Sequence, residues 1–185
     1  MQVVISLLRG VNVTGKHMIR MDALRDLCEL LGLRNVQTFI QSGNIVFATK
    51  ERDLARLSKR IAGAIDKNFG FRPEVISRTP SDFRDVIARN PCASMPDMNP
   101  AKFLVYFLAV DPGDEAREKV RTMGTESEQL WIEGCHLYVY YHNMARPKLK
   151  MAAVDRALQT LGTGRNWNSV RKLLELAEQL ESQAL

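Results

Sequence analysis

Long hydrophobic runs are missing from this sequence of 185 residues. The two most apolar stretches, Val3 to Leu8 and Phe103 to Val110, fall well short of the ~20 residues that a membrane-crossing helix requires, so no membrane partner is expected. Cysteine is scarce: Cys28, Cys92 and Cys135 are odd in number, widely spaced and free of any C-x-x-C pair. That spacing excludes a disulfide framework and a zinc knuckle, and reduced thiols are expected. The three histidines, His17, His136 and His142, form no H-E-x-x-H pattern and accompany no nucleophile elbow or triad signature. No metal and no cofactor is therefore implied, and no catalytic residue is assigned. The N-terminus has no basic leader and no small-residue cleavage site, and enters a strand-like run at Gln2, from which a cytoplasmic location is expected.

What is present is an average globular composition, with 45% hydrophobic and 25% charged residues, enough to bury a core without help. A net charge of +5 favours anionic partners, although an excess of this size is common in proteins that bind none. The chain opens on Gln2 to Leu8, nearly continuous in apolar residues and rich in β-branching, the pattern of a strand covered on both faces. Met21, Leu24, Leu27, Cys28 and Leu31 then recur at helical spacing up to Gly32. Val36 to Ile40 and Asn44 to Ala48 read as a hairpin that turns at Gly43. Leu54, Leu57, Ile61, Ile65 and Phe69 trace a second helix, stopped by Gly70, and Pro73 to Ser77 is a further short strand. The order βαββαβ is the split β-α-β unit of a ferredoxin-like half.

Thr79, Pro80 and Asp82 look like the start of a helix with its cap, its first-position proline and an acid in the first turn. Residues 90–101, with three prolines and no periodicity, are expected to link two halves. After them come a buried strand from Phe103, a polar helix over Gly113 to Met123, and a hairpin pairing Gln129 to Ile132 with His136 to Tyr141. A helix carrying Leu149, Ala153, Leu158 and Leu161 is expected to close at Gly162, and a final helix carries Val170, Leu173, Leu174, Ala177 and Leu180. The expected fold is α+β: two ferredoxin-like halves, residues 1–89 and 102–185, with antiparallel or mixed sheets. In the second half a C-terminal helix stands where a closing strand would be expected.

Three segments, LLRGVNVTGKHMI, QSGNIVF and RNWNSVRKL, resemble the bacterial family known as domain of unknown function 1697. The resemblance spans almost the whole chain and implies a ferredoxin-like α+β architecture with no established activity and no assigned catalytic residues. This chain departs from the family's usual pattern at Thr14 and Gly15, where a double glycine is usual, and at His17, where asparagine is.

Two places carry chemistry that could hold a ligand. The loop from Arg9 to Lys16 leaves the end of a buried strand with two glycines and two cations, the makings of an anion cradle. It is no Walker motif, because His17 stands where a Ser or Thr would hold magnesium. A solvated surface loop accounts for the same residues equally well. The second place, Gly162 to Ser169, reads as a glycine turn opening a helix. There Asn166 or Asn168 suits a cap and Trp167 a packing anchor, which leaves Arg165 as the functional candidate. Arg9, Asn12, Lys16, Arg165 and Asn166 are the expected ligand-binding residues, for a phosphate- or carboxylate-bearing small molecule. Around the second place, residues 142–172 carry seven Lys or Arg against the single acid Asp155. Helical periodicity would nonetheless turn Arg156 and Arg171 away from Arg165. Alternatives are an enzyme acting on a phosphorylated or nucleotide-like substrate, which would use the same cations, an RNA-binding module on the basic face, and a protein-interaction module that uses sheet edges or the linker. The RNA reading is disfavoured, because the stacking signature K/R-G-F/Y-G/A-F-V-x-F/Y is absent and Tyr138 and Tyr140 suit packing better.

Overall fold

The computed structural model describes residues 1–13 and 15–183. The chain forms two compact units, one of Met1 to Asp85 together with the chain from Lys172 onward, the other of Val86 to Arg171. The first contains β1 (Gln2–Leu8), α1 (Met21–Leu30), β2 (Arg34–Phe39), β3 (Asn44–Thr49), α2 (Leu54–Phe69) and β4 (Val75–Arg78). Its antiparallel sheet runs β2-β3-β1-β4, with β1 central: Leu7 faces Asn44 on one side and Ile76 on the other. Six of the seven β1 residues are buried, as expected of a strand covered on both faces. Under α1 and α2 lies a core that includes Val4, Leu24, Ile45, Phe47, Leu57 and Ile61.

The Gly70 stop and the Thr79–Asp82 start act as read, and a cap at Asp53 joins them. Asp53 caps α2 by accepting from the Arg56 N–H at 3.0 Å, and Gly70 ends the helix at φ +75°, its N–H returning to the Asp66 carbonyl at 2.9 Å. That left-handed stop costs glycine nothing. Next comes α3 (Pro80–Ala88), which starts on a reciprocal box: Asp82 accepts from the Thr79 N–H at 2.7 Å and Thr79 Oγ1 from the Asp82 N–H at 3.2 Å.

The second unit repeats the order with β5 (Phe103–Leu108), α4 (Gly113–Arg121), β6 (Glu128–Glu133), β7 (His136–Tyr141), α5 (Met151–Leu158) and β8 (Gly162–Asn166), and α6 (Trp167–Gln183) follows. Its sheet runs β6-β7-β5-β8, so both sheets have the ferredoxin-like order and the fold is α+β as expected. Two sequence expectations are corrected. The closing strand of the second half is present: it is β8, the very segment read as a glycine turn opening a helix. The preceding helix stops earlier than Gly162, at Gln159, which takes φ +53°. A difference in organisation accompanies these: α6, expected wholly with the second half, contributes from Lys172 onward to the first unit. Residues 90–99 hold neither helix nor strand and lead through a single 3-10 turn, Pro100–Lys102, into β5.

Candidate functional site

At the end of β1 the chain must turn back towards α1, and among the described residues of 9–20 four have left-handed backbones. Gly10 (φ +71°) and Gly15 (φ +75°) accept this freely, whereas Asn12 (φ +56°) and His17 (φ +52°) are held there. Asn12 does most of the holding. Its Oδ1 accepts from the Ile19 N–H at 2.8 Å, and its Nδ2 donates to the Ile19 carbonyl at 2.9 Å and the Gln41 carbonyl at 2.8 Å. Its backbone N–H donates to the His17 carbonyl at 3.1 Å, which closes the tip of the loop. The His17 ring stacks on Phe71 with centroids 4.5 Å apart, and its Nδ1 lies 3.3 Å from the Gly10 carbonyl.

Arg9 and Lys16 are thus carried by an ordered loop. The Arg9 N–H donates to the Glu74 carbonyl at 2.9 Å and its side chain is half-buried. Lys16 donates its N–H to the Val13 carbonyl at 3.1 Å and is exposed. Open space surrounds the position a Cβ would take at Gly10 and Gly15. Thr14 of the same loop lies outside the described residues.

Beside the loop is a cavity of about 390 Å³ lined by Met18, Ile19, Arg20, Met21, Asp22 and Gln41. Arg20 and Asp22 form an exposed two-pronged ion pair on its wall. The hydrogen bonds from Arg20, first of all, hold the Asp22 carboxyl below the usual carboxylate range, and Asp22 in turn raises the Arg20 guanidinium. Of these lining residues the sequence singled out Met21, on the apolar stripe of α1, and none as part of a hollow. Residues 18–22 sit where loop passes into helix, and only the fold reveals that they surround a hollow. The turn on the opposite wall is strained too, since Ile40 stands at φ +50°, an unusual place for a β-branched side chain. It is braced by Asn44, whose buried Nδ2 donates to the Phe39 carbonyl at 3.0 Å and to Ser42 Oγ at 2.9 Å.

The structure brings Arg9, Asn12 and Lys16 together on one loop of the first unit. Arg165 and Asn166 lie in the second unit, on β8. There Arg165 is only 7% exposed; its guanidinium donates to Thr163 Oγ1 and to the Gly164 carbonyl, both at 2.9 Å. Burial lowers its pKa to about 10, since a desolvated cation is costly. Asn166 caps α6 by accepting from the Ser169 N–H at 2.9 Å. Among the described residues no group of three His, Cys, Asp or Glu could hold a metal. Burial pushes the Cys28 thiol up to about 12 and the Cys92 thiol to about 11, the opposite of what a nucleophile needs. His17 meets a carbonyl and a phenyl ring in these contacts rather than an orienting carboxylate.

Residues 1–138 match the family described as protein of unknown function DUF1697. The chain belongs to that family. It is also similar to a solved structure described as the conserved bacterial protein SP0830 from Streptococcus pneumoniae, with a TM-score of 0.70 and 20% identity over 95% of this chain and 98% of that one. At that identity the likeness carries the fold alone. No curated protein matches the chain. The match to the DUF1697 family includes the whole candidate loop and stops before β8. Among the described residues no helix is long and apolar enough to cross a membrane.

Proposed function

We propose that this member of the DUF1697 family binds a small molecule carrying a phosphate or carboxylate, with the anionic group at the Arg9–Lys16 loop and the remainder of the molecule in the adjoining cavity. One observation carries the reading: the Asn12 side chain ties the cationic loop to Ile19 and Gln41, and both line the cavity. Loop and hollow therefore form one construction, with its geometry set before a ligand arrives. Lys16 and Arg9 supply the charge, Met18 and Met21 supply adaptable apolar surface, and Asn12 positions the loop. Arg165 and Asn166, expected from the sequence to join this ligand, are engaged with Thr163, Gly164 and the start of α6. The proposal stands on the first unit alone.

A ligand present at about 100 times its Kd adds about 2.7 kcal/mol to stability, which for a protein of this size raises Tm by roughly 5–10 °C. Inorganic phosphate and citrate titrated against the protein in a thermal-shift experiment should produce such a rise. The double variant Arg9→Ala, Lys16→Ala should fold and lose it. An equal rise in the double variant would sink the proposal.

A further inference from the structure

A second basic feature lies in the other unit and owes nothing to the candidate loop. Between β7 and α5 the chain runs through residues 142–150, HNMARPKLK. From Gly134 to Val154 there is no Asp or Glu. His142, Asn143, Met144, Ala145, Arg146, Pro147, Lys148 and Lys150 are all exposed; only Leu149 is buried, at 8%, within the unit's core.

The backbone of this segment is fastened. Its first N–H, that of His142, donates to the Ser127 carbonyl at 2.8 Å, and Lys102 Nζ donates to the His142 carbonyl at 3.1 Å. Asn143 Oδ1 accepts from the Ala145 N–H at 3.1 Å. The Lys148 N–H donates to Glu128 Oε1 at 2.9 Å. Glu128 is fully buried, and its other oxygen accepts from the Thr125 hydroxyl. Both oxygens of Glu128 are thus engaged with the backbone and the interior and form no ion pair with the cations outside.

Those cations differ from other arginines of the protein. Arg84, Arg89, Arg117 and Arg121 each meet a carboxylate, whereas the side chains of Arg146, Lys148 and Lys150 have no ion-pair partner among the described residues. Their spacing is regular as well. Arg146 stands at a bend after the turn at Met144 and Ala145, and after Pro147 the chain straightens, with Lys150 extended at φ −93°, ψ 106°. Leu149 points inward while Lys148 and Lys150 on either side point out. Alternate residues of an extended chain lie about 6.6 Å apart, so Lys148 and Lys150 stand in a row that Arg146 continues at the bend before Pro147, instead of a cluster around one point. A row suits a polymer of regularly spaced negative charges better than it suits a single small anion.

We infer that the His142–Lys150 loop is a binding surface for the phosphate backbone of single-stranded nucleic acid, read without sequence preference. The cations stand on a loop and follow one another along the chain, an arrangement that favours a strand over a duplex groove. The inference is independent of the small-anion site, and variants separate the two.

The test measures fluorescence anisotropy of a labelled single-stranded oligouridylate against the full chain over a range of salt. Three phosphate contacts give a slope of log K against log salt of about −2, at about −0.7 per contact. The triple variant Arg146→Ala, Lys148→Ala, Lys150→Ala should weaken binding at least tenfold and flatten the slope. It should keep the wild-type Tm and the wild-type phosphate response, because all three side chains are exposed. Arg9→Ala, Lys16→Ala should bind the oligonucleotide as the wild type does. Absence of binding to the wild type, or undiminished binding to the triple variant, overturns the inference. Polyglutamate that competes as well as the oligonucleotide at equal charge also overturns it, in favour of an acidic protein partner.

Discussion

Asn12 combines two roles that a substitution can separate. Its side chain makes three hydrogen bonds, and its backbone sits at φ +56°, where alanine is strained by roughly 1–2 kcal/mol and glycine is not. With each bond worth about 1 kcal/mol net, Asn12→Ala should cost about 3–5 kcal/mol in urea denaturation, and Asn12→Gly about 1 kcal/mol less. Equal losses would mean that the left-handed backbone carries no strain. The cysteines make a second residue-scale case. Burial raises Cys28 to about 12 and Cys92 to about 11, so above about pH 9 the unfolded chain releases protons that the folded chain keeps. Folding stability associated with these thiols is complete below that pH and falls as pH climbs through 11 to 12. At pH 8 only the half-exposed Cys135 should react with a thiol reagent in the folded protein, and all three in denaturant. Rapid modification of Cys28 in the native state would contradict its burial.

At the scale of elements, glycine is the residue whose meaning the sequence leaves most open. Gly162 and Gly164 read as a turn, yet they sit in β8 because neighbours press on them. A Cβ at Gly164 would lie 2.7 Å from Tyr106 Cε1, and one at Gly162 would lie 2.9 Å from Leu108 Cδ2. Glycine in a strand marks this kind of close approach, and only the partner strand reveals it. The same cause hid the closing strand of the second half and displaced the expected end of α5. Elsewhere the local signals sufficed. A nearly continuous, β-branched apolar run located β1, hairpin signals located β3 and β7, and the Thr79–Asp82 box and Gly70 located helix ends, because each depends on neighbours within a few residues. The loop cations were legible too, but the cavity was not, since its walls come from residues 18–22 and from Gln41. Two Gly→Ala substitutions should therefore act with opposite sign. Gly164→Ala must move the Tyr106 ring and should cost about 1–3 kcal/mol. Gly63→Ala lies within α2, has only the end of Arg72 at 3.5 Å, and should gain up to about 1 kcal/mol. Thermal denaturation of the two variants decides it; destabilisation by Gly63→Ala would show that α2 is crowded there.

For the whole molecule, the consequence of greatest weight is that the first unit is built from two stretches of chain. Its later stretch brings Leu173, Ala177 and Leu180, all fully buried. It also brings Glu178 and Glu181, which Arg84 bonds at 2.9 and 2.5 Å. These two kinds of contact are unequal. The ion pairs are about half-exposed and worth at most about 1 kcal/mol, whereas each buried leucine contributes roughly 1.5–3 kcal/mol. Against a total of about 5–15 kcal/mol for a typical protein, losing both leucines, about 3–6 kcal/mol together, removes a large share. A chain ending at Arg171 should thus fail to give a cooperative transition, while Arg84→Ala in the full chain should shift stability by no more than about 1 kcal/mol. The anion loop depends on the same unit, so the truncated chain should also lose phosphate-dependent stabilisation although Arg9, Asn12 and Lys16 are all still present. A truncated chain that unfolds cooperatively and still answers to phosphate would show that residues 1–85 hold the site by themselves.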